Sequence, residues 1–365
     1  MRTSNLKTTL CGLLCAFAIS ACNNTPADTI ELYIGTYTAE GSEGIYRVIF
    51  NNVDGTATLP ELMVEVDNPS YLAFSPDNAY LYAVSEGENN ATSALNAYAV
   101  TVDGTLSPLS RYATGGAAPC YVKVAGDYVY TANYLGGSVS VFPIAQDGST
   151  GEAVHIEKFE REGDVAHLHG LFDAPGRELY ATDLGLDNLY LIDPVTDTDN
   201  TYHFNILSTT SLPERFGPRH LATSVDATRL YVLGELSGEV AVFDTEKSPF
   251  ELLQLIPSDS VGGGGCADIH LSPDGRFLYA SNRLKEDGIS TFAVDSEGLL
   301  TKIDYTHTGI HPRNFTLSPD GRWLLCANRD SDNIQIFERD VESGKLTNTG
   351  REISLSMPVC LLWKN

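Results

Sequence analysis

Lysine and arginine are scarce in this sequence. Its 365 residues include 23 Lys and Arg but 48 Asp and Glu, which gives a formal net charge of −25 at pH 7. Binding to nucleic acid depends on clustered cations that neutralise phosphates. The composition therefore argues against a nucleic-acid partner, and the acidity alone is typical of a soluble protein surface.

Several motifs that carry known chemistry are missing. No Gly-x-Ser-x-Gly string occurs, which argues against a serine hydrolase of the α/β type. The glycine run at 262–265 lacks the Lys-Ser/Thr of a phosphate-binding loop, so we predict a flexible connector there. His167 and His169 are spaced like a metal-binding pair but have no companion at a firm ligand spacing. We therefore predict no metal and no other cofactor.

The N-terminal segment has the composition of an export signal. Two cations precede an apolar stretch, residues 10–18, that is too short to cross a bilayer. The string ISAC at 19–22 resembles a bacterial lipobox. We predict a signal peptide over residues 1–21, lipidation of Cys22 and a tether over residues 22–30. The protein would then lie in the cell envelope, periplasmic or on the outer-membrane side, and touch the membrane only through its lipid anchor.

The remaining cysteines show no disulfide pattern. Cys11 and Cys15 fall in the predicted signal, and Cys22 is the predicted anchor. The other four lie in apolar strands of different repeats with no paired spacing, so we expect buried thiols rather than disulfides. They are Cys120, Cys266, Cys326 and Cys360.

An internal repeat dominates the chain. Each unit has an apolar run, a turn of the Ser-Pro-Asp-Gly type and a returning strand of the Leu-Tyr type. The units recur at intervals of 46 to 51 residues, the length of a four-stranded β-propeller blade. Their first residues are Pro69, Pro119, His167, Pro218, Cys266 and Pro312.

The two ends of the chain complete one further blade. Residues 358–363 match an inner strand that has no returning partner, and residues 32–37 match a returning strand that has no inner partner. Pairing them removes an open sheet edge and closes the ring. We therefore predict an all-β, seven-bladed propeller with four antiparallel strands per blade, formed as a single domain by residues 31–365.

The repeat also predicts where the polar side chains gather. The start of the first strand and the end of the second strand of each blade lie at the same face of the ring, here called the mouth. In an acidic protein, arginines gathered at one mouth suggest an anionic or carbonyl-bearing ligand. The predicted mouth residues are Glu86, Tyr134, His169, Arg219, His220, Glu235, Asp268, Arg283, Arg313 and Arg329.

Four residues at one repeat position have a structural alternative. We predict that they serve the fold rather than the ligand, by bonding to backbone between blades; the four are Asn133, Asp183, Asn282 and Asn328. The other mouth residues could carry out acyl transfer on a cyclic ester. Guanidinium groups can stabilise an oxyanion, and a histidine or glutamate can activate water as a general base.

These motifs resemble a known family. The strings GPRHL at 217–221, CADIHLSPDGRFLYASNR from 266 and PRNFTLSPDGRWLLCANRDSDNI from 312 look like the seven-bladed propeller lactonases. That family includes propeller-type 6-phosphogluconolactonases and the fungal carboxy-muconate cyclase. The resemblance covers residues 30–365 and implies a carboxylic ester hydrolase that needs no metal.

The resemblance also implies roles for individual residues. The active residues proposed for the fungal cyclase are a histidine, two arginines and a glutamate, and by motif these correspond to His169, Arg219, Arg283 and Glu235. Either His169 or Glu235 would be the base. Substrate contacts are expected from the rest of the mouth set, namely His220, Asp268, Arg313, Arg329, Glu86 and Tyr134. Leu168 and Gly170 flank the histidine, where the family often has a serine after it.

Three functions remain open on the sequence. The first is hydrolysis of a sugar-type lactone, and export favours a lactone other than the phosphorylated, cytoplasmic one. The second is a lactonising cycloisomerase that uses the same groups. The third is a non-catalytic envelope propeller that binds a glycan or a protein.

Overall fold

The computed structural model describes residues 28–199 and 201–364 and shows seven four-stranded antiparallel sheets. The predicted propeller is confirmed. The predicted signal peptide, residues 1–21, and Cys22 lie outside the described residues. Thr29 and Ile30, which we assigned to the tether, are the first residues of the first strand.

The strands follow one another around the ring in chain order. Blade 1 contains β1 (Thr29–Thr36), β2 (Gly44–Asn51) and β3 (Glu61–Glu65). Blade 2 contains β4 (Leu72–Phe74), β5 (Tyr80–Ser85), β6 (Ala94–Val100) and β7 (Leu106–Ala113). Blade 3 contains β8 (Pro119–Ala125), β9 (Tyr128–Asn133), β10 (Ser138–Pro143) and β11 (His155–Lys158). Blade 4 contains β12 (Leu168–Asp173), β13 (Leu179–Asp183), β14 (Asn188–Thr196) and β15 (Tyr202–Ser211).

The second half of the ring repeats this order. Blade 5 contains β16 (Pro218–Thr223), β17 (Arg229–Gly234), β18 (Glu239–Asp244) and β19 (Glu251–Pro257). Blade 6 contains β20 (Ile269–Leu271), β21 (Phe277–Asn282), β22 (Gly288–Val294) and β23 (Leu300–His307). Blade 7 contains β24 (Pro312–Leu317), β25 (Trp323–Asn328), a 3-10 turn (Arg329–Ser331), β26 (Asn333–Arg339) and β27 (Leu346–Ser354). The described residues include no helix long and apolar enough to cross a membrane.

The final strand closes the ring. β28 (Pro358–Trp363) pairs antiparallel with β1, with Leu32 opposite Trp363 and Thr36 opposite Pro358. β28 thereby becomes the inner strand of blade 1, as the incomplete repeats at the two ends predicted. Because inner strands begin at the mouth, this register places the end of β1 at the mouth and its beginning at the opposite face.

The core lies between neighbouring blades. The returning strands carry fully buried apolar and aromatic side chains that pack between sheets. In four blades a buried tyrosine on this strand also donates a hydrogen bond to a glycine carbonyl in a turn of the next blade. These bonds join Tyr33 to Gly104 (2.7 Å), Tyr82 to Gly148 (3.0 Å), Tyr231 to Gly298 (3.0 Å) and Tyr279 to Gly344 (2.7 Å). We call them the tyrosine latches.

The four cysteines that we expected to be buried thiols are buried and unpaired. They are Cys120, Cys266, Cys326 and Cys360. Burial raises the pKa of each thiol, so all four stay protonated.

Candidate active site

Each blade contributes polar or aromatic side chains to the mouth. A site residue directly follows the second strand of several blades, as the repeat predicted, and others sit at the start of an inner strand. In blade order the set comprises Tyr37, Glu86, Tyr134, His169, Arg219 with Glu235, Arg283, and Arg313. Their charges act on one another: the pKa of Glu235 on blade 5 responds to Arg313 on blade 7.

Irregularities in the inner strands turn several of these side chains toward the channel. The register shifts between Leu168 and Gly170, so that His169 is the extra residue of the bulge. The pairing register also shifts between Pro218 and Leu221 in β16. The side chains of Arg219 and His220 therefore need not point to opposite faces of the sheet. A bulge re-aims side chains that a regular strand would direct to opposite faces, and this explains how adjacent residues join one site.

The centre of the site is an ion triad. Nε of Arg219 lies 2.9 Å from Oε2 of Glu235, and Nη2 of Arg283 lies 3.2 Å from Oε1 of the same carboxylate. The Arg219 contact is a close ion pair without the alignment of a hydrogen bond. Both arginine side chains are almost fully buried, whereas that of Glu235 keeps 26% of its surface exposed.

Charge sharing in the triad shifts its titration. Burial raises the pKa of Glu235, but the surrounding guanidinium groups outweigh burial and the pKa is lowered overall. Burial and the neighbouring Arg219 charge lower the pKa of Arg283 to about 9. Glu235 is therefore a carboxylate near neutral pH, and its function in the resting site is to hold two guanidinium groups.

His169 is a buried, neutral imidazole. Burial first, and then the charge of Arg219, hold the pKa of His169 well below its usual value. Within the described chain its Nδ1 has no hydrogen-bond partner. The ring stands edge-on to His220 at 5.2 Å and to Tyr134 at 5.7 Å between centroids. An imidazole nitrogen without a partner, next to guanidinium groups, can accept a proton from a bound water molecule.

His220 and Asp268 lie beneath the triad and contact it through Arg219. Nδ1 of His220 is 2.7 Å from Oδ1 of Asp268, and Nε2 of His220 is 3.4 Å from Nη1 of Arg219. Burial and the Arg219 charge lower the pKa of His220 to about 4, so the ring is neutral. A proton on Nδ1 satisfies the carboxylate and leaves Nε2 as the acceptor that faces the guanidinium. These two residues orient Arg219, and their own side chains are buried rather than exposed at the mouth.

Asp268 ties several blades together. Its carboxylate accepts hydrogen bonds from His270 of its own blade, from Asn314 and the backbone N–H of Phe315 in blade 7, and from His220 in blade 5. Burial raises the pKa of Asp268, but His270 and His220 outweigh burial, and the pKa ends far below its usual value. The ion pair correspondingly raises the pKa of His270.

The sequence interpretation missed the residues that hold the guanidinium group of Arg283 in place. Its Nε donates to the Gly265 carbonyl at 2.6 Å, and its Nη1 lies 3.2 Å from Nε2 of His311. The glycine run at 262–265 is thus not a loose connector, because Asp259 accepts backbone N–H bonds from Gly263 and Gly264 and the Glu235 carbonyl accepts one from Gly265. His311 directly precedes the repeat start at Pro312, and that position was the available signal.

Arg329 lies apart from the ion triad, and the prediction for the Asn/Asp position of the repeat needs correction. Arg329 pairs with Asp330 at 2.5 Å and makes no hydrogen bond to the triad within the described residues. The Asn/Asp position bonds mainly within its own blade: Asp183 accepts from the N–H groups of His167, Gly185 and Leu186. Of the four, Asn282 reaches the preceding blade, by accepting from Ser258 at 2.9 Å.

Tyr134 and His167 frame the histidine side of the mouth. Their rings stack at 4.3 Å between centroids, and Nδ1 of His167 lies 2.9 Å from the Tyr134 carbonyl. Over residues 28–199 and 201–364, no three His, Cys, Asp or Glu side chains cluster as metal ligands would.

Comparison with known proteins agrees with this fold. The family described as "Lactonase, 7-bladed beta-propeller" matches residues 31–363. A protein of Bacillus subtilis (strain 168) named 6-phosphogluconolactonase is 33% identical over 348 residues, which cover 90% of this chain and 97% of that protein.

Two solved structures extend the comparison. A Bacteroides fragilis protein that was proposed to be a 6-phosphogluconolactonase is 40% identical, with a TM-score of 0.88 over 93% of this chain and 99% of its own. A periplasmic gluconolactonase of Pseudomonas aeruginosa is 32% identical, with a TM-score of 0.86 over 92% of this chain and 99% of its own. The chain therefore belongs to the seven-bladed β-propeller lactonase family.

Proposed function

We propose that the protein hydrolyses a sugar-type lactone at the mouth of the propeller, with no metal ion in the reaction. The observation that carries the proposal is the neutral His169, whose buried Nδ1 has no partner within the described chain, near the buried guanidinium groups of the ion triad. A general base and an electrophilic partner are the two groups that ester hydrolysis needs.

The residues divide the reaction between them. His169 takes a proton from water while the water oxygen bonds to the lactone carbonyl carbon. Arg219 stabilises the oxyanion that forms, because it is a cation whose Nη2 makes no hydrogen bond to the described residues and can donate to that oxygen. The tetrahedral species then collapses, the ring C–O bond breaks, and the protonated His169 returns its proton to the departing ring oxygen. The product is the open-chain hydroxy acid.

Glu235 is the weaker candidate for the base. Its lowered pKa makes it a poor proton acceptor at neutral pH, and two arginines occupy its oxygens. We therefore give it the role of positioning Arg219 and Arg283. This choice between His169 and Glu235 distinguishes the proposal from a mechanism with a carboxylate base.

The proposal includes export and lipidation at Cys22, with the signal peptide spanning residues 1–21. The Pseudomonas aeruginosa relative is named a periplasmic gluconolactonase, which supports an extracytoplasmic substrate. Incorporation of labelled fatty acid into the wild-type protein, and its loss in Cys22→Ser, would test the anchor. Labelling of both proteins or of neither would contradict it.

The activity is tested by acid release in a pH-stat. We would add glucono-δ-lactone to the purified protein in the presence of a chelator and subtract the spontaneous rate. We expect turnover that falls by about 10²- to 10⁴-fold in His169→Asn, as for loss of a general base. Hydrolysis at the spontaneous rate would refute the lactonase proposal. Activity that survives in His169→Asn but not in Glu235→Gln would reverse the assignment of the base.

A further inference from the structure

The three arginines of the mouth differ in how much of their hydrogen-bonding capacity is already used. Arg283 donates to the carbonyls of Gly265 and Cys266, lies beside His311 and pairs with Glu235. Arg219 donates to the Ala267 carbonyl, contacts His220 and pairs with Glu235. Both guanidinium groups are therefore held by the protein itself.

Arg313 is different. Across the described chain it makes no hydrogen bond, and its ion pair with Glu86 is long, at 3.9 Å. Its guanidinium carbon stands 5.2 Å from the centroid of the Tyr37 ring, and only 16% of its side-chain surface is exposed. A guanidinium has five N–H donors, so the donors of Arg313 are available to bind a ligand.

Glu86 gives the same pocket an acceptor. Its Oε2 accepts a hydrogen bond from the Tyr37 hydroxyl at 3.0 Å, and its side chain keeps 19% of its surface exposed. Burial raises the pKa of Tyr37, so its ring is a neutral phenol. Arg313, Glu86 and Tyr37 thus combine free donors, a free acceptor and an aromatic face, with no net charge. We call these three residues the blade 7–1–2 subsite.

The subsite lies in the same mouth as the proposed reaction centre but on other blades. His169, Arg219 and Arg283 come from blades 4, 5 and 6. The charges of Glu86 and Arg219 both contribute to the electrostatic field at the Cys120 thiol of blade 3. A ligand whose carbonyl lies at Arg219 would direct its far end toward Arg313.

We propose that the blade 7–1–2 subsite binds the hydroxyl groups of an uncharged polyol chain and discriminates against a phosphorylated one. This rests on the proposed lactonase function and names its substrate class, an unphosphorylated aldonolactone. A sugar hydroxyl accepts from Arg313 and donates to Glu86, so it satisfies both partners. A phosphate dianion has only acceptors, and it would place its charge next to the Glu86 carboxylate.

The test compares two lactones in matched variants. We would measure kcat/KM for glucono-δ-lactone and for its 6-phosphate with wild type, Glu86→Gln and Glu88→Gln. Glu88 is an exposed acid two residues along the same loop, which makes it the control. We expect wild type to prefer the unphosphorylated lactone and Glu86→Gln to shift the ratio at least about tenfold toward the phosphate, since one like charge is removed. Glu88→Gln should keep the wild-type ratio.

Two results would overturn the assignment. The first is a wild-type preference for the phosphorylated lactone, and the second is an unchanged ratio in a folded Glu86→Gln protein. If that variant fails to fold, Arg313→Met takes its place, and we expect it to raise KM for glucono-δ-lactone about tenfold with a smaller change in kcat. An unchanged KM in Arg313→Met would likewise overturn the subsite.

Calorimetry separates failure of this inference from failure of the proposed function. Gluconate and 6-phosphogluconate can be titrated into the same proteins without turnover. If no lactone is hydrolysed but gluconate binds, and Glu86→Gln shifts the binding preference toward 6-phosphogluconate, the subsite stands while the lactonase proposal falls. If lactones are hydrolysed but neither titration nor kinetics responds to Glu86→Gln, the subsite falls and the lactonase proposal stands.

Discussion

Replacing Glu235 by alanine should damage both the stability and the activity of the protein. The carboxylate lies 2.9 Å from Arg219 and 3.2 Å from Arg283, and both arginine side chains are nearly inaccessible to water. Removing one partner of a buried ion pair leaves uncompensated charge and typically costs about 3–5 kcal/mol. At roughly 2–4 °C per kcal/mol, an upper estimate for a chain of this length, Tm should fall by at most about 6–20 °C.

The same variant should lose activity for a different reason. Without the carboxylate, the two guanidinium groups repel each other and lose their common orientation, so kcat should fall by about 10²-fold or more, as for loss of an oxyanion donor. The assays are thermal unfolding followed by circular dichroism and lactone hydrolysis in the pH-stat. Glu214→Ala, at an exposed acid near the start of the same blade, is the control and should match wild type in both.

Chemical rescue makes the experiment decisive. Glu235→Ala leaves space for a small carboxylate, so formate should restore part of the Tm and part of the rate, whereas formamide, which is uncharged, should restore neither. An Arg219→Ala variant should gain nothing from formate. A Glu235→Ala protein with wild-type Tm and rate would refute the view that this ion triad organises the site.

Three further predictions concern pH, the base and the latches. Because the pKa of His169 is lowered, the imidazole is already neutral at pH 6.5. The value of kcat/KM, corrected for spontaneous hydrolysis, should therefore stay level from pH 8 down to about 6.5. A fall in kcat/KM centred above pH 6.5 would assign the base to another group. Four buried groups have lowered folded-state pKa values, namely His169, His220, Asp268 and Glu235. Each contributes stability that is lost as pH falls. The loss begins at about pH 6.5 for the histidines and at about pH 4 for the carboxylates. The pKa of His270 is raised, so this group has the opposite effect on stability. We expect Tm to fall overall as pH is lowered from 7 to 4. A Tm that rises as pH is lowered over this range would contradict the role of the buried network. Tyr231→Phe removes one tyrosine latch and leaves the half-buried Gly298 carbonyl without its partner, which should cost about 0.5–1.5 kcal/mol in urea unfolding while leaving kcat unchanged. Tyr80→Phe, at a half-buried tyrosine of blade 2, is the control. Equal stability of the two variants would argue against the latch.

The ring of blades could be predicted because each blade repeats the same local physics. Apolar runs, Ser-Pro-Asp-Gly turns and the Leu-Tyr returning strand recur at blade spacing, and the incomplete repeats at the two ends predicted the pairing of β1 with β28. Local periodicity thus determines which strands exist and how they pair. The mouth was predictable to the same extent, since the residue that follows a second strand must lie there.

Side-chain direction within the mouth could not be predicted in this way. A strictly alternating strand would separate Arg219 from His220, and only the register shift before Leu221 brings both into one network. Arg329 and Arg283 occupy equivalent repeat positions, yet Asp330 next in the chain captures Arg329 at the rim. Such choices depend on single neighbours rather than on the repeat, so the contact between His311 and Arg283 was not predicted.

The direction of β1 has a consequence for how the protein would face its surroundings. β1 ends at the mouth, opposite Pro358, so its first residue, Thr29, lies at the far face of the ring. A chain tied to a bilayer at Cys22 would have only residues 23–28 between the lipid and this strand, a reach of about 20 Å at most. The propeller would then stand with its far face against the membrane and its opening toward the aqueous compartment, so that substrates arrive from solution rather than from the lipid surface.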